Sequence, residues 1–81
     1  MERTEVREQI VAKLAAQFDL DPAAVKDEDN IAKVYGAKSH DLIQLSVSIQ
    51  AALGVKLGYA ESRRLHTVGE WVDHVLELKN K

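Results

Sequence analysis

Apolar side chains recur every three or four residues in the first part of the chain, which is the spacing of an amphipathic helix. Charged residues occupy most of the other positions in this segment. The pattern predicts a helix over Thr4–Phe18 with Thr4 as its cap. The helix should end near Asp19, because the residue before Pro22 is disfavoured in a helix. The apolar stripe is formed by Val6, Ile10, Leu14 and Phe18.

A second amphipathic pattern begins at residue 39 or 40 and continues to Leu53. Gly54 follows it and is suited to the C′ position that ends a helix. Ile43 and Val47 lie off the main apolar stripe, so we expect these two side chains to be partly exposed. The main stripe is formed by Leu42, Leu45, Ile49, Ala52 and Leu53.

The last predicted helix has the clearest start signal. Thr67 and Glu70 have the Ser/Thr-x-x-Glu spacing of a capping box, in which each side chain bonds the other residue's backbone amide. Apolar residues follow at helical spacing up to Leu76. Trp71 is the one tryptophan of the chain, and we expect it to be buried against the first helix.

The segments between these helices carry weaker signals. Residues 19–38 are predicted to be mostly loop, with one helical turn after Asp21 and Pro22 and a few apolar anchors. Residues 55–57 are expected to be extended, and Tyr59–Leu65 can form a short helix with a charged outer face. The anchors are Val25, Ile31, Val34 and Tyr35, and the outer face carries Glu61, Arg63 and Arg64.

These elements predict an all-α fold, a bundle of three principal helices plus a short third helix with a long first loop. Hydrophobic residues make up 46% of the chain and aromatic residues only 5%, which suits aliphatic helix packing. A chain of 81 residues is too small for two cores, so we expect one domain over residues 1–81.

Charge and cysteine content narrow the classes of function. The chain has no cysteine, which excludes disulfides and cysteine nucleophiles. Eleven Lys and Arg against 13 Asp and Glu give a net charge of −2, which does not favour nucleic-acid binding. Arg63 and Arg64 form a small basic patch, so a nucleic-acid or regulator-binding domain stays open if binding proves salt-sensitive. With no apolar run of membrane length, we expect a cytoplasmic monomer without membrane insertion.

Candidate catalytic and metal-binding residues fail on spacing. His40, His66 and His74 lack the close spacing that one helix face would require, so we expect three solvated surface histidines and no metal site. Consecutive residues of a helix point in different directions, so Ser39, His40 and Asp41 cannot align as a catalytic triad. We therefore expect no catalytic residues in this chain.

The residues around the start of the second long helix read Gly-Ala-Lys-Ser-His-Asp from position 36 to position 41. This segment resembles the acyl carrier protein family, whose motif is Gly-x-Asp-Ser-Leu-Asp with the serine at the head of the second helix. The resemblance runs without an obvious gap from Val6 to Val75. It includes Phe18-Asp19-Leu20, the anchors Val25 and Ile31, the helical Leu45 and Ile49, and Leu65-His66-Thr67-Val68.

The resemblance implies that Ser39 carries 4′-phosphopantetheine through a phosphodiester, which would make the chain a phosphoprotein. The cofactor's thiol would hold an acyl group as a thioester, as in fatty-acid or polyketide biosynthesis. The implied partners are a phosphopantetheinyl transferase and acyl-transfer or condensing enzymes. The chain would then be a carrier and not an enzyme. Asp41, Ile43, Gln44 and Val47 flank the attachment point away from the main stripe, and we expect them to meet these partners.

The motif departs from the family at two positions, because Lys38 and His40 stand where the family has Asp and Leu. Asp41 is the only acid of the second helix, whereas family members are strongly acidic there. We therefore expect a specialised pathway with dedicated enzymes.

Three alternatives stay open. The chain could be a carrier-fold protein that is never modified and acts as a protein-interaction module. Ser39 could simply be a helix N-cap. Four apolar residues could part to shelter the cargo or could be ordinary core, and these are Leu45, Ile49, Leu65 and Val68.

Overall fold

The computed structural model describes all residues from Met1 to Lys81. It is all-helical, which confirms the predicted fold class, and a 3-10 turn at Pro22–Ala24 follows the first helix. Of the helices, none combines the length and apolar character that crossing a membrane requires. The helices are α1 (Arg3–Phe18), α2 (Ile31–Tyr35), α3 (Ser39–Leu53), α4 (Tyr59–Ser62) and α5 (Val68–Lys79).

The three long helices form the body of the bundle, with α1 packed against both α3 and α5. One cluster of apolar side chains fills the space between them, and Trp71 is fully buried in it, as predicted. Lys79 Nζ donates to the carbonyl of Leu53 at 2.9 Å and so joins the ends of α5 and α3. The fully buried members are Val6, Ile10, Leu14, Leu45, Val68, Trp71, Val72 and Val75.

Helix starts are partly as predicted. The Thr67 amide donates to Glu70 Oε1 at 2.9 Å and the Glu70 amide donates to Thr67 Oγ1 at 3.2 Å, which confirms the capping box. The cap assigned to Thr4 is wrong. Helix α1 begins one residue earlier, at Arg3, and the amide of its N-cap residue Glu2 donates to Glu5 Oε1 at 3.1 Å.

The long first loop contains a helix that the sequence pattern did not predict. Helix α2 begins after Asn30, whose side chain accepts the Lys33 amide at 3.0 Å, and ends at Gly36, which adopts the left-handed φ of 71°. Val34 is 57% exposed, so its predicted role as a core anchor is wrong. A helix of five residues presents only one face to the core, and Ile31 occupies that face.

Backbone hydrogen bonds hold this loop against the start of α5. The amides of Val68 and Gly69 donate to the carbonyls of Asp29 at 3.0 Å and Asp27 at 2.9 Å. The first amides of a helix have no partner inside the helix, so the loop satisfies two of them. A Cβ at Gly69 would lie 3.3 Å from the Asp27 carbonyl oxygen, so glycine permits this close approach.

Side chains add a second set of bonds to the loop. Arg7 Nε and Arg3 Nη2 donate to the two carboxylate oxygens of Asp27 at 2.7 and 3.0 Å. The hydrogen bond from Arg7, supported by the one from Arg3, lowers the pKa of Asp27. Farther along the loop, Tyr35 donates to Asp29 at 2.6 Å, and burial raises the pKa of the Tyr35 hydroxyl.

Replacing Asp27 is expected to remove a pH-dependent part of the stability. The pKa of Asp27 is lower in the folded protein than its ordinary value of 3.8, so the ionised carboxylate stabilises the fold at pH values above 3.8. This stabilisation is lost as the pH falls through the lowered pKa of the folded state. Asp27→Asn should therefore have a lower urea midpoint than the wild type near neutral pH. In acid the difference between the two midpoints should disappear. Asp19→Asn is the control, since Asp19 is exposed. Equal pH profiles for the two variants would contradict the role of Asp27.

Candidate functional site

Ser39 is the first residue of α3 and is exposed. The N-cap is Lys38, whose carbonyl accepts the amides of Asp41 at 3.0 Å and Leu42 at 3.1 Å. The alternative in which Ser39 serves only as the N-cap is therefore wrong. Its hydroxyl makes no side-chain hydrogen bond to the protein and faces solvent.

The link between α2 and α3 fixes where Ser39 lies. Gly36 reverses the chain through its left-handed conformation, and a residue with a Cβ would be strained at this φ. Ala37 is 8% exposed, and its amide bonds the Ile31 carbonyl at 3.4 Å. The link is short and anchored in the core, so Lys38 and Ser39 are held at the edge of the bundle.

Asp41 stabilises the turn that carries Ser39. Its Oδ2 accepts the backbone amide of Lys38 at 2.8 Å, and its Oδ1 lies 3.3 Å from His40 Nε2. A carboxylate in the first turn also interacts favourably with the helix dipole. Only 21% of the Asp41 side chain is exposed, so its structural role is clear, while contact with a partner stays a prediction.

Helix α1 contributes a contact to the same turn that the sequence pattern did not reveal. Gln17 Nε2 donates to the carbonyl of Asp41 at 2.8 Å. The other amide atom, Gln17 Oε1, is buried without a hydrogen-bond partner. No periodicity or motif marks Gln17, because the contact joins helices that are distant in sequence.

The outer face of α3 carries a short apolar strip beside Ser39. Ile43 and Val47 follow Ser39 at four-residue steps and are 47% and 57% exposed, which confirms their predicted exposure. Gln44 is also exposed, on the adjoining side of the helix. The structure thus brings three of the four predicted partner residues to the surface near Ser39, whereas the fourth, Asp41, is half-buried. Their contact with partner enzymes remains a prediction.

A pair of buried serines joins α3 to α4. The Ser46 and Ser62 hydroxyls contact each other, and they also lie 2.9 and 3.0 Å from the carbonyls of Leu42 and Gly58. Ser46 lies on the buried face of α3, whereas Ala52, which the apolar pattern placed on that face, is exposed, so the prediction for Ala52 is wrong.

The possible cargo-sheltering residues are packed as core. Leu45, Ile49 and Val68 are at most 1% exposed, and Leu65 is half-buried against them. The surface recess that the structure does contain is lined by Ala60, Arg63 and Arg64.

Helix α4 is shorter than predicted, and its one carboxylate, Glu61, is bound within the protein. It covers Tyr59–Ser62, so Arg63 and Arg64 lie in the turn after it. Glu61 was expected on the outer face, but it pairs with His74 of α5 and also accepts the Gly58 amide at 3.1 Å. The hydrogen bond from His74, followed by that from Gly58, lowers the pKa of Glu61.

The histidines do not share one environment. His74 is part of the ion pair with Glu61 and is half-buried, so the prediction of a solvated surface histidine is wrong at this position. His66 is exposed, and His40 is exposed beside Asp41. A pair 13 residues apart on two helices has no signature in the sequence, which is why it was missed.

Sequence comparison finds relatives over almost the whole chain. An acyl carrier protein of Rubrobacter xylanophilus is 30% identical over 77 residues, which covers 95% of each chain. An acyl carrier protein of Thermosynechococcus vestitus is 29% identical over 75 residues, or 93% of each chain. No family model matches the sequence.

Structural comparison gives the same fold. The solved structure of an acyl carrier protein from Enterococcus faecalis superposes with a TM-score of 0.81 at 23% identity and covers 96% of this chain and 99% of that one. The relatives support a carrier role. The chain belongs to the acyl carrier protein family.

Proposed function

We propose that this chain carries an acyl or related intermediate as a thioester on 4′-phosphopantetheine attached to Ser39, in a specialised pathway. A phosphopantetheinyl transferase attaches the cofactor, and acyl-transfer or condensing enzymes of the pathway act on the cargo. The observation that carries the proposal is the position of Ser39, an exposed serine with an unengaged hydroxyl at the start of α3.

The residues around Ser39 fit a phosphodiester. On attachment, Ser39 Oγ forms a bond to the phosphorus that carries the pantetheine arm. The P–O bond between the two linked phosphates of coenzyme A breaks, the adenosine bisphosphate half leaves with the bridging oxygen, and the hydroxyl proton is released. The amides of Ser39 and His40 have no backbone acceptor in the structure, so both can donate to phosphate oxygens. Lys38 adds a positive charge next to the anionic group. When bound, the cofactor supplies the thiol that holds the cargo.

The specialised pathway is supported by the residues that flank Ser39. Lys38 and His40 both lie exposed at the start of α3, and Asp41, the only acid of that helix, is tied to the helix start. Enzymes that recognise an acidic carrier would meet a different charge here. We therefore assign the chain to a pathway with dedicated enzymes rather than to housekeeping fatty-acid synthesis.

The same two residues favour a second candidate function. A carrier-fold protein that is never modified would act only as a protein-interaction module. Lys38 and His40 are the feature that favours it, because a transferase adapted to Asp-Ser-Leu would be repelled by the lysine and would lose an apolar contact.

The two functions differ in the mass of the protein. We expect the wild type to gain one phosphopantetheinyl group after incubation with coenzyme A and a cognate or broad-specificity transferase. Peptide mapping should place that group on Ser39. If no transferase adds the group, the cognate enzyme included, the carrier function is wrong and the chain acts as an unmodified interaction module. If the group maps to Ser46, Ser48 or Ser62, the site assignment is wrong.

A further inference from the structure

We infer that the enzymes that meet this carrier approach Ser39 with an acidic surface, which docks on positive side chains of the α2–α4 segment around the Ile43–Val47 strip. The inference rests on the proposed function in one respect, because it takes the neighbourhood of Ser39 as the docking face. Its occupant is a partner enzyme with carboxylates around the entrance that receives the cofactor.

Charge is unevenly divided along the chain. Residues 31–67 carry five Lys and Arg against two carboxylates, a net charge of +3, whereas the remaining residues carry six against eleven, a net charge of −5. The chain has a net charge of −2, but residues 31–67 within it are net positive. That segment contains α2, α3 and α4, and Ser39 lies within it.

Both carboxylates of the positive segment are used inside the protein. Asp41 accepts the Lys38 amide and lies beside His40. Glu61 pairs with His74 and accepts the Gly58 amide. Neither acid is free to offer both of its oxygens to a basic partner.

The cations of the same segment are exposed and have no ion-pair partner, in contrast to Arg3 and Arg7, which are bound to acids. Arg63 lies over the ring of Tyr59, with 5.8 Å from the guanidinium carbon to the ring centroid. The free cations are Lys33, Lys38, Lys56, Arg63 and Arg64.

The fold places three of these cations, Lys38, Arg63 and Arg64, beside the face of α3 that begins at Ser39. Ser39 and Ser46 lie seven residues apart and so project from the same face of α3, about 11 Å apart along its axis. Ser46 contacts Ser62, and Arg63 and Arg64 follow directly. Lys38 adjoins Ser39 on the other side. The apolar strip of Ile43 and Val47 is therefore bordered by positive charge at both ends.

An apolar strip with a charged border has the composition of a protein-binding surface. The apolar centre contributes affinity, while border charges steer the partner and reject surfaces of like sign. Positive borders favour a negative partner, and charge steering changes association rates by factors of about 10 to 1,000. The complementary enzyme surface is therefore acidic.

The test is a titration followed by NMR, with decaglutamate and decalysine peptides as probes of the ¹⁵N-labelled protein. Decaglutamate should shift amide signals of residues 33–47 and 59–64, and the shifts should fade with added salt. Lys38→Glu/Arg63→Glu/Arg64→Glu should weaken its binding about tenfold or more. Lys13→Glu/Lys26→Glu/Lys81→Glu is the matched control, because it changes the net charge equally but outside residues 31–67. Its binding should stay within about twofold of wild type.

Three results would overturn the inference. The first is equal binding of decaglutamate by the two triple variants or no binding by the wild type. The second is decalysine shifting the residues around Ser39. The third is a dodecathymidylate probe binding this face more tightly than decaglutamate, which would indicate a nucleic-acid surface. The titration uses unmodified protein, so failure of Ser39 modification, read by mass, is a separate outcome.

Discussion

Ser39→Ala is expected to abolish phosphopantetheinylation completely, with every transferase that modifies the wild type. The reason is chemical, since the substitution removes the only atom of residue 39 that can form the bond to phosphorus. Ser39 is exposed and its hydroxyl bonds no other side chain or backbone group, so the fold should stay intact. Intact mass spectrometry after incubation with transferase and coenzyme A measures the outcome.

Ser48→Ala is the matched control on the same helix, because Ser48 is half-buried and lies away from the start of α3. It should be modified like the wild type. Circular dichroism should show equal helicity for both variants. A mass increase on the Ser39→Ala protein would mean that another nucleophile carries the group, and the assignment of Ser39 would be wrong.

Trp71→Ala is expected to lower the free energy of unfolding by about 3–5 kcal/mol, which is a large share of the stability of so small a domain. Trp71 is fully buried, and its removal leaves a cavity in the cluster that joins α1, α3 and α5. Urea unfolding followed by circular dichroism measures the change. Val47→Ala, at an exposed position, should change the stability by no more than about 0.5 kcal/mol.

Trp71→Phe should cost much less than Trp71→Ala. The indole nitrogen Nε1 is buried and has no hydrogen-bond partner. An unpaired buried donor costs about 1–3 kcal/mol, so phenylalanine removes this penalty while it keeps most of the apolar contact. If the alanine and phenylalanine variants lose equal stability, the indole is not buried in an apolar core as described.

The long helices were predictable because apolar residues recur at the helical period along one face of each. Ile10 and Leu14 in α1, or Leu45 and Ile49 in α3, repeat at the helical period, and that period directly selects the buried side. The start of α5 was predictable for a different reason. The capping box is a local exchange of hydrogen bonds between residues three apart, so its spacing is visible in the sequence.

The short elements were not predictable, because contacts distant in sequence determine them. Helix α2 is too short to show a period, and Ile31 is fixed by a backbone bond from its amide to the His66 carbonyl at 2.9 Å. Ser46 interrupts the apolar stripe of α3, and its burial is made favourable by hydrogen bonds with the Leu42 carbonyl and with the Ser62 hydroxyl of α4. The apolar pattern treats such a serine as a solvent-facing residue.

The candidate site was likewise predictable only in part. The motif and its position before an amphipathic helix were sufficient to propose Ser39 and to predict that Ile43 and Val47 are exposed. The contacts that hold the start of α3 in place were not visible in the sequence. Gln17 reaches the site from α1, and Asp41 has a structural role in capping that its motif position did not reveal.

The bonds from the amides of Val68 and Gly69 to the loop carbonyls couple two parts of the chain that would otherwise open independently. A loop of this length alone would exchange its amide hydrogens through low-energy local openings. Here the loop cannot detach without exposing two amides of α5. Residues 27–31 and the first turn of α5 therefore form one cooperative unfolding unit. Helix α2 begins inside this unit at Ile31, so the unit anchors the start of the segment that leads to Ser39, the proposed attachment site.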